Sequence, residues 1–280
     1  MSTASPTSSR SARTALLAAG SLAWRELRRF FRQRSRVIGA LVQPILFWIL
    51  FGAGLGGSFR MPGGPASAGY ANYFLPGVAV MILLFTAIFS TISIIEDRRE
   101  GFLQAVLVSP IPRFSLVLGK VLGGSILAVI QALVFVGIAP VLASLGAVSP
   151  VSLDLPWMTW AAAVAWMAVL AFLLTSLGYL IAWPMESTQG FHAVMSVFLM
   201  PMWLLSGAFF PVPEQGWLAW IMRANPLTYG LAGLRRLMST GDPVALGPLP
   251  AWSTCVAVTV SIAAAIFLAD VVLTRHKHVA

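Results

Sequence analysis

Charge is what this sequence lacks most. Nine acidic and eighteen basic residues leave the 280-residue chain only 10% charged, against roughly 25% in an ordinary soluble domain. No Asp, Glu, Lys or Arg falls in residues 37–59, 61–95, 121–153, 155–185, 187–213 or 243–269, and each run reaches the ~20 residues that a membrane-spanning helix needs. The runs are apolar all round, with no polar face at a period of about 3.6 residues, which argues against a soluble helical protein. Cysteine is equally scarce. The single Cys255 lies in the last apolar run, so there is no disulfide framework and no thiol-rich metal site, and the redox compartment stays open. A phosphate-cradling loop is also missing, because Gly119-Lys120 follows no G-x-x-x-x-G-K-[ST] frame; an ATPase within this chain is excluded on that ground.

What is present is apolar: 58% of the residues are hydrophobic. The charge-free runs predict six spans, near Val37–Gly57, Phe74–Ile95, Leu116–Leu145, Trp157–Trp183, Phe191–Phe210 and Trp252–Leu273. At ~1.5 Å per residue, about 20 residues cross the ~30 Å hydrocarbon slab, and longer runs tilt. Basic residues are retained on the cytoplasmic side. Fourteen of them, Arg10, Arg13, Arg25, Arg28, Arg29, Arg32, Arg34, Arg36, Arg98, Arg99, Arg113, Lys120, Arg275 and Lys277, fall on one side of this arrangement, and four, Arg60, Arg223, Arg235 and Arg236, on the other. Both termini are therefore expected in the cytoplasm, which an even number of spans satisfies. Trp157, Trp160, Trp183, Trp217, Trp220 and Trp252 lie near span boundaries, where an amphipathic ring prefers the headgroup layer. The net charge of +9 sits on residues flanking spans and forms no nucleic-acid-binding face.

The flanking segments carry the remaining information. Residues 1–13, rich in Ser, Thr and Ala, have no apolar core; they read as a disordered cytoplasmic tail, not a cleaved signal peptide. Residues 14–36 place Leu16, Leu17, Leu22, Trp24, Leu27, Phe30 and Phe31 among arginines. They read either as an interfacial amphipathic helix with Arg heads toward anionic lipid or as a generic basic flank. The segment Glu96-Asp97-Arg98-Arg99-Glu100 leads into a short helix expected over Gly101–Val108, ended by Ser109-Pro110, since a residue before proline is pushed out of helical geometry. Such a protrusion is a handle for a cytosolic partner or an ordinary interfacial loop. Between Ser206 and Met238, Gly207, Pro211, Pro213 and Pro226 divide the chain into pieces too short to span. These read as re-entrant helices or as a loop resting on the outer surface.

Three stretches, Tyr73-Phe74-Leu75-Pro76-Gly77, Glu96 through Lys120, and Ser206 through Arg236 with Phe210-Pro211 and Asn225-Pro226-Leu227-Thr228, occur here in the order and spacing seen in the membrane subunits of ABC exporters of the ABC-2 family. From about residue 24 onward the chain strongly resembles these proteins, particularly the daunorubicin-resistance and nodulation-type permeases. One departure is visible: many relatives read Gly-Thr-Leu-Glu where this chain has Gly101-Phe102-Leu103-Gln104, and a role assigned to that Glu is not carried over.

The resemblance implies an all-α membrane protein of six transmembrane helices with cytoplasmic termini. It has an N-terminal interfacial connecting helix, carrying Trp24, Arg25, Arg28, Arg29 and Arg32, before a transmembrane domain over residues 37–275. It implies a coupling helix within 96–112 that docks on a separate ATPase subunit, with Glu96, Asp97, Arg98, Arg99, Glu100, Gly101, Phe102, Leu103, Gln104, Leu107, Pro110 and Arg113 at the docking surface or at the foot of the second span. It further implies an external gate of short re-entrant helices carrying Phe210, Pro211, Pro213, Asn225 and Pro226. It implies that two such subunits, copies of one chain in a bacterial cytoplasmic membrane, pair with two nucleotide-binding subunits, with ATP and Mg on those partners and no cofactor or metal on this chain. On this view, replacing Arg98 and Arg99 uncouples ATP hydrolysis from transport.

Two rival classes remain. An ion- or proton-coupled transporter needs ionisable groups deep in the membrane. Glu96, Glu186 and Asp270 sit near cytoplasmic ends, leaving His192, which either hydrogen-bonds a neighbouring helix or faces a cavity. An intramembrane serine protease needs a Ser and a His in contact. Ser206 and His192 stand about 21 Å apart along one helix axis at the usual rise. Walls offering Phe, Met and Trp with almost no fixed charge suit an amphipathic drug or lipid-like substrate, and a glycan is the other class considered.

Overall fold

The computed structural model describes residues 7–55, 70–151, 153–239 and 249–276, and every regular element among them is helical. The centre is a 30-residue rod, Tyr70–Arg99, made of α3 (Tyr70–Ser90) and α4 (Ile92–Arg99). The side chains of Ser90 and Thr91 each donate to a carbonyl three residues back, Ala87 and Ile88, at 2.6 Å. Such local bonds compete with the helical ladder and bend it, and here they mark the joint between the two helices.

α3 is apolar on every side, so no single face can be turned to water. It is accordingly enclosed: α2 (Arg34–Gly54), α6 (Arg113–Ser144), α7 (Trp157–Ala182), α8 (Thr188–Trp203) and α10 (Pro226–Met238) all pack against it. α11 (Trp252–His276) completes an outer layer against α7. The helix α1 (Thr7–Arg32) lies along the first half of α6. Glycines let these helices approach. A Cβ on Gly119 would stand 2.7 Å from Leu22 Cβ and 2.8 Å from the Ala19 carbonyl, and one on Gly123 would stand 2.8 Å from Glu26 Cβ. Gly119 and Gly123 therefore form a small-xxx-small seat for α1, the usual device for close packing where the surroundings are already apolar.

Among the described residues, five helices are long and apolar enough to cross a membrane: Tyr70–Arg99, Arg113–Ser144, Trp157–Ala182, Thr188–Ala208 and Trp252–Arg275. They correspond to five of the six expected spans. The remaining one, expected over 37–57, contains the shorter apolar helix Ile38–Gly54, and residues 56–57 lie outside the described ones. The tail expected to be disordered over residues 1–13 is corrected over its second half, because α1 begins at Thr7; residues 1–6 lie outside the described part, as do Arg60 and Lys277.

Gly119→Leu is expected to push α1 off α6 and destabilise the protein by about 1–3 kcal/mol, the usual cost of overpacking. A thermal-unfolding midpoint of the purified variant equal to that of the wild type would refute the seat.

Candidate functional site

The charge cluster after the central rod does not point outward as a row. Asp97 is fully buried, and its carboxylate is ringed by cations from two other helices. Arg25 grips it in a fork, Nη1 to Oδ2 at 3.0 Å and Nη2 to Oδ1 at 2.8 Å, the geometry that makes Arg–carboxylate pairs strong. Arg29 donates to Oδ1 at 2.9 Å, and Lys120 of α6 donates to Oδ2. The buried Lys120 ammonium also reaches Glu26 at 2.6 Å and Ser93 Oγ at 3.1 Å. Arg29 extends the network to Glu96 at 2.8 Å and Glu100 at 3.3 Å. Four acids and three cations thus bind α1, α4 and α6 into one unit. Burial weighs against charge on Arg25, yet its bonds and proximity to Asp97 outweigh this and raise its pKa above the ordinary arginine value.

The other two arginines of the cluster are also engaged within the chain. Arg98 donates to the carbonyls of Trp183 at 2.5 Å and Met185 at 2.9 Å, and Arg99 to that of Glu186 at 2.9 Å. These carbonyls belong to the turn between α7 and α8, begun at Pro184, where the backbone has no helical donor to meet them. A loss of coupling in an Arg98/Arg99 double variant would therefore report a loosened turn as much as a lost docking contact.

Gly101 reverses the chain with φ of +76°, a left-handed conformation suited to glycine at a helix end. The helix α5 (Phe102–Val108) follows. Leu103 is buried, and the Phe102 ring lies 3.7 Å beneath the Arg25 guanidinium. Arg113 donates to the Leu107 carbonyl at 2.8 Å, closing the end of α5. Gln104, Ala105, Val108 and Pro110 are exposed, with Val108 87% accessible. The expected docking residues thus divide. Asp97, Arg98, Arg99, Phe102, Leu103 and Arg113 hold the elbow together, whereas Gln104 and Pro110, with the half-exposed Leu107 and the carboxylate of Glu100, form its outer surface. Glu26, Lys120 and Ser93 were not singled out from the sequence as site residues. Glu26 is the only acid before residue 96, which is the one sequence signal that marked it.

On α1, Trp24, Arg28 and Arg32 are exposed and Arg25 and Arg29 are half-buried against the rod. At the opposite end of the bundle, α8 runs through Pro201 into a π-helical turn, Leu204–Ala208, broken by Gly207 with φ of +86°. The carbonyls freed there are met by side chains. Tyr73 and the buried Arg235 donate to the Gly207 carbonyl at 3.0 and 3.1 Å, and Tyr70 to Phe209 at 2.9 Å. Asn225 caps α10 by accepting from Leu227 N at 3.0 Å and donates to the Met202 carbonyl at 2.6 Å, while Pro226 occupies the first helical position. α9 (Trp217–Ala224) and α10 are too short to span. Phe210, Pro211 and Pro213 lie half-buried in the connection from the π turn to α9. Arg236 bonds the Pro250 carbonyl at 2.8 Å and Arg223 that of Glu214 at 2.9 Å. The described arginines at this end, which run against the basic bias, all donate to backbone carbonyls.

Between α2, α3 and α8 lies a cavity of about 460 Å³, lined by apolar Met81, Phe85 and Phe89 and by polar Gln43, Thr86 and His192 among others. His192 is exposed to it and rests against Phe89, ring centroids 5.2 Å apart. Of the two roles expected for this histidine, it takes the cavity-facing one. Ser206 is buried and donates to the Trp203 carbonyl at 2.6 Å, which leaves no Ser–His pair. Asp270 is fully buried, with neither carboxylate oxygen hydrogen-bonded, and is not among the residues lining the cavity. Among the described residues there is no cluster of metal-binding side chains.

The sequence model of the ABC-2 type transporter family matches residues 18–238. The chain is 30% identical over 220 residues to ycf38 of Cyanophora paradoxa, which bears a transport-permease name, covering 76% of this chain and 72% of that one. It is 24% identical over 220 residues to the daunorubicin resistance ABC transporter permease protein DrrB1 of Streptomyces coeruleorubidus, over 77% and 72% of the two chains. It is 27% identical over 211 residues to nodulation protein J of Rhizobium leguminosarum bv. trifolii, over 74% and 75%.

Asp97→Ala leaves the buried Lys120 and the half-buried guanidinium groups of Arg25 and Arg29 without their shared anion. The expected cost is about 3–5 kcal/mol, seen as a lower unfolding midpoint in detergent together with faster proteolysis within α1. Wild-type stability and protection would show that the carboxylate anchors nothing.

Proposed function

The chain belongs to the ABC-2 type transporter family, and on that premise we propose that it is the membrane half of an ATP-driven exporter whose docking handle is the outer face of α5. Members of this family are membrane transport subunits, and ATPase activity lies on a separate subunit; this chain is accordingly a multi-pass membrane protein and not an enzyme. The carrying observation is the elbow itself. An exposed tip of Gln104, Val108 and Pro110 stands on a base tied by ion pairs to α1 and α6 and by arginine to the α7–α8 turn. A push on such a tip cannot be absorbed locally, so it shifts several helices as nearly rigid bodies.

In this reading ATP and Mg are bound by the partner ATPase, whose closure drives α5 and alternates access to the cavity between α2, α3 and α8. Its volume of about 460 Å³ lies within the ~300–1,000 Å³ of small-molecule sites. Aromatic and Met walls with a few hydrogen-bonding groups suit an amphipathic drug or lipid-like molecule, with a glycan as the other class; transport runs outward. The outer face of α2 carries exposed Ile38, Val42, Leu46 and Leu50 at four-residue steps, and α8 carries exposed Val197 and Phe198. Hydrocarbon covers such a stripe in a membrane; in this reading a second copy of the chain packs there instead and closes the cavity. Six spans with both termini in the cytoplasm of a bacterium, and α9 and α10 as re-entrant helices capping the exit, complete the reading. Ion coupling is disfavoured because His192 and Asp270 are not joined by a chain of titratable groups, and proteolysis because Ser206 is held by backbone.

Val108→Asp places a charge on the tip without touching the packed base. It is expected to abolish co-purification with the partner ABC ATPase subunit, and substrate-stimulated ATP hydrolysis of the reconstituted pair, at unchanged thermal stability. Full association of the variant would take docking away from α5.

A further inference from the structure

α1 has three faces. At 100° per residue, Ala19, Leu22, Ala23, Glu26 and Phe30 cluster on one, and all five are buried. Leu17, Trp24 and Phe31, seven residues apart, form a second, with accessibilities of 65%, 61% and 50%. Arg25, Arg28, Arg29 and Arg32 form the third, about a quarter turn from the apolar stripe by the same periodicity. The four arginines line a surface cleft of about 610 Å³ together with Ser21, Trp24, Gln33 and Glu100.

Their roles differ. Arg25 and Arg29 are spent on Asp97 and its acidic neighbours. Arg28 and Arg32 are exposed and, among the described residues, have no acidic partner. Among the described residues Glu100 is the only acid lining the cleft, and it is held by Arg29 at 3.3 Å. The cleft thus keeps an uncompensated positive charge next to exposed tryptophan, leucine and phenylalanine.

We infer that Arg28 and Arg32, flanked by Trp24, form a binding site for the phosphate headgroup of an anionic membrane lipid. A free anion or a nucleic acid makes no use of Leu17, Trp24 and Phe31. A phospholipid uses both stripes: its phosphate meets two guanidinium forks, and its glycerol and upper acyl region meet the apolar stripe, with the indole at the depth such rings prefer. The site bears on α1, which is fastened to the elbow through Asp97, so lipid occupancy braces the same unit that α5 moves. The inference requires only that the chain sits in a membrane and holds whatever the exported molecule is.

Native mass spectrometry of the full chain released from detergent tests it, with phosphatidylglycerol and phosphatidylcholine offered at equal concentration. The wild type is expected to retain phosphatidylglycerol preferentially, and Arg28→Gln/Arg32→Gln to lose that preference by on the order of tenfold. Leu17→Ser/Trp24→Ser is expected to lower retention of both lipids without changing their ratio. Arg275→Gln, an exposed charge on another helix, is expected to leave the ratio unchanged. Equal retention of the two lipids by the wild type, or an undiminished preference in the double arginine variant, overturns the site. So does complete displacement of phosphatidylglycerol by millimolar inorganic phosphate, which would identify a free-anion site. Loss of ATPase association in that variant with lipid retention intact would assign the face to a protein partner and overturn it equally.

Discussion

A carboxylate taken wholly out of water holds the α1–α4–α6 end of this protein together. An isolated buried charge costs several kcal/mol even after its surroundings relax, so Asp97 is tolerable only where cations converge on it. Arg25 and Arg29 come from α1 and Lys120 from α6, and neither helix can leave without stranding the others. In an apolar medium, hydrophobic association between helices is weak and close packing and polar contacts take its place. Gly119 and Gly123 supply the close packing and Asp97 the polar contact, on the same pair of helices. The first helix is thereby made part of the bundle.

The opposite end solves a different problem by related means. There the backbone itself is exposed by the π turn and by Gly207, and carbonyls without helical donors must be paired or hydrated. Arg235, Tyr73, Tyr70 and Asn225 pair them from within the protein. One end thus uses cations to neutralise a buried acid and the other uses them to satisfy backbone. The cavity adjoins the ion-paired end, with Phe30 of α1 and Glu96 of the charge network in its lining beside apolar Met81, Phe85 and Phe89. One end is thus held by ion pairs and the other by hydrogen bonds to freed carbonyls.

Much of the fold was legible because lipid-compatible helices leave a coarse signature. Runs without charge gave five spans to within a few residues, and Pro110, Pro226 and Gly207 marked breaks for reasons of backbone chemistry that need no tertiary context. The charge cluster at Glu96–Glu100 was legible as a site but not as a geometry. Five consecutive polar residues on a helix point in every direction, and only the neighbours decide which are inside. Asp97 faces α1 and α6, Arg98 and Arg99 face the α7–α8 turn, and the outer face falls to Gln104, Val108 and Pro110. Lys120 read as a topogenic charge because its partners lie 94 and 23 residues away.

The amino-acid sequence by itself determined that this is a helical membrane protein without a phosphate-binding loop, since both facts depend on local composition and on one contiguous motif. Tertiary structure alone decided which charges are buried anchors, which are backbone caps and which remain free for partners. A charge on a helix has no fixed role until another helix brings an opposite charge, a carbonyl or open solvent to it. That is why Arg25 and Arg28, three residues apart on α1, end as a strut and as a free cation.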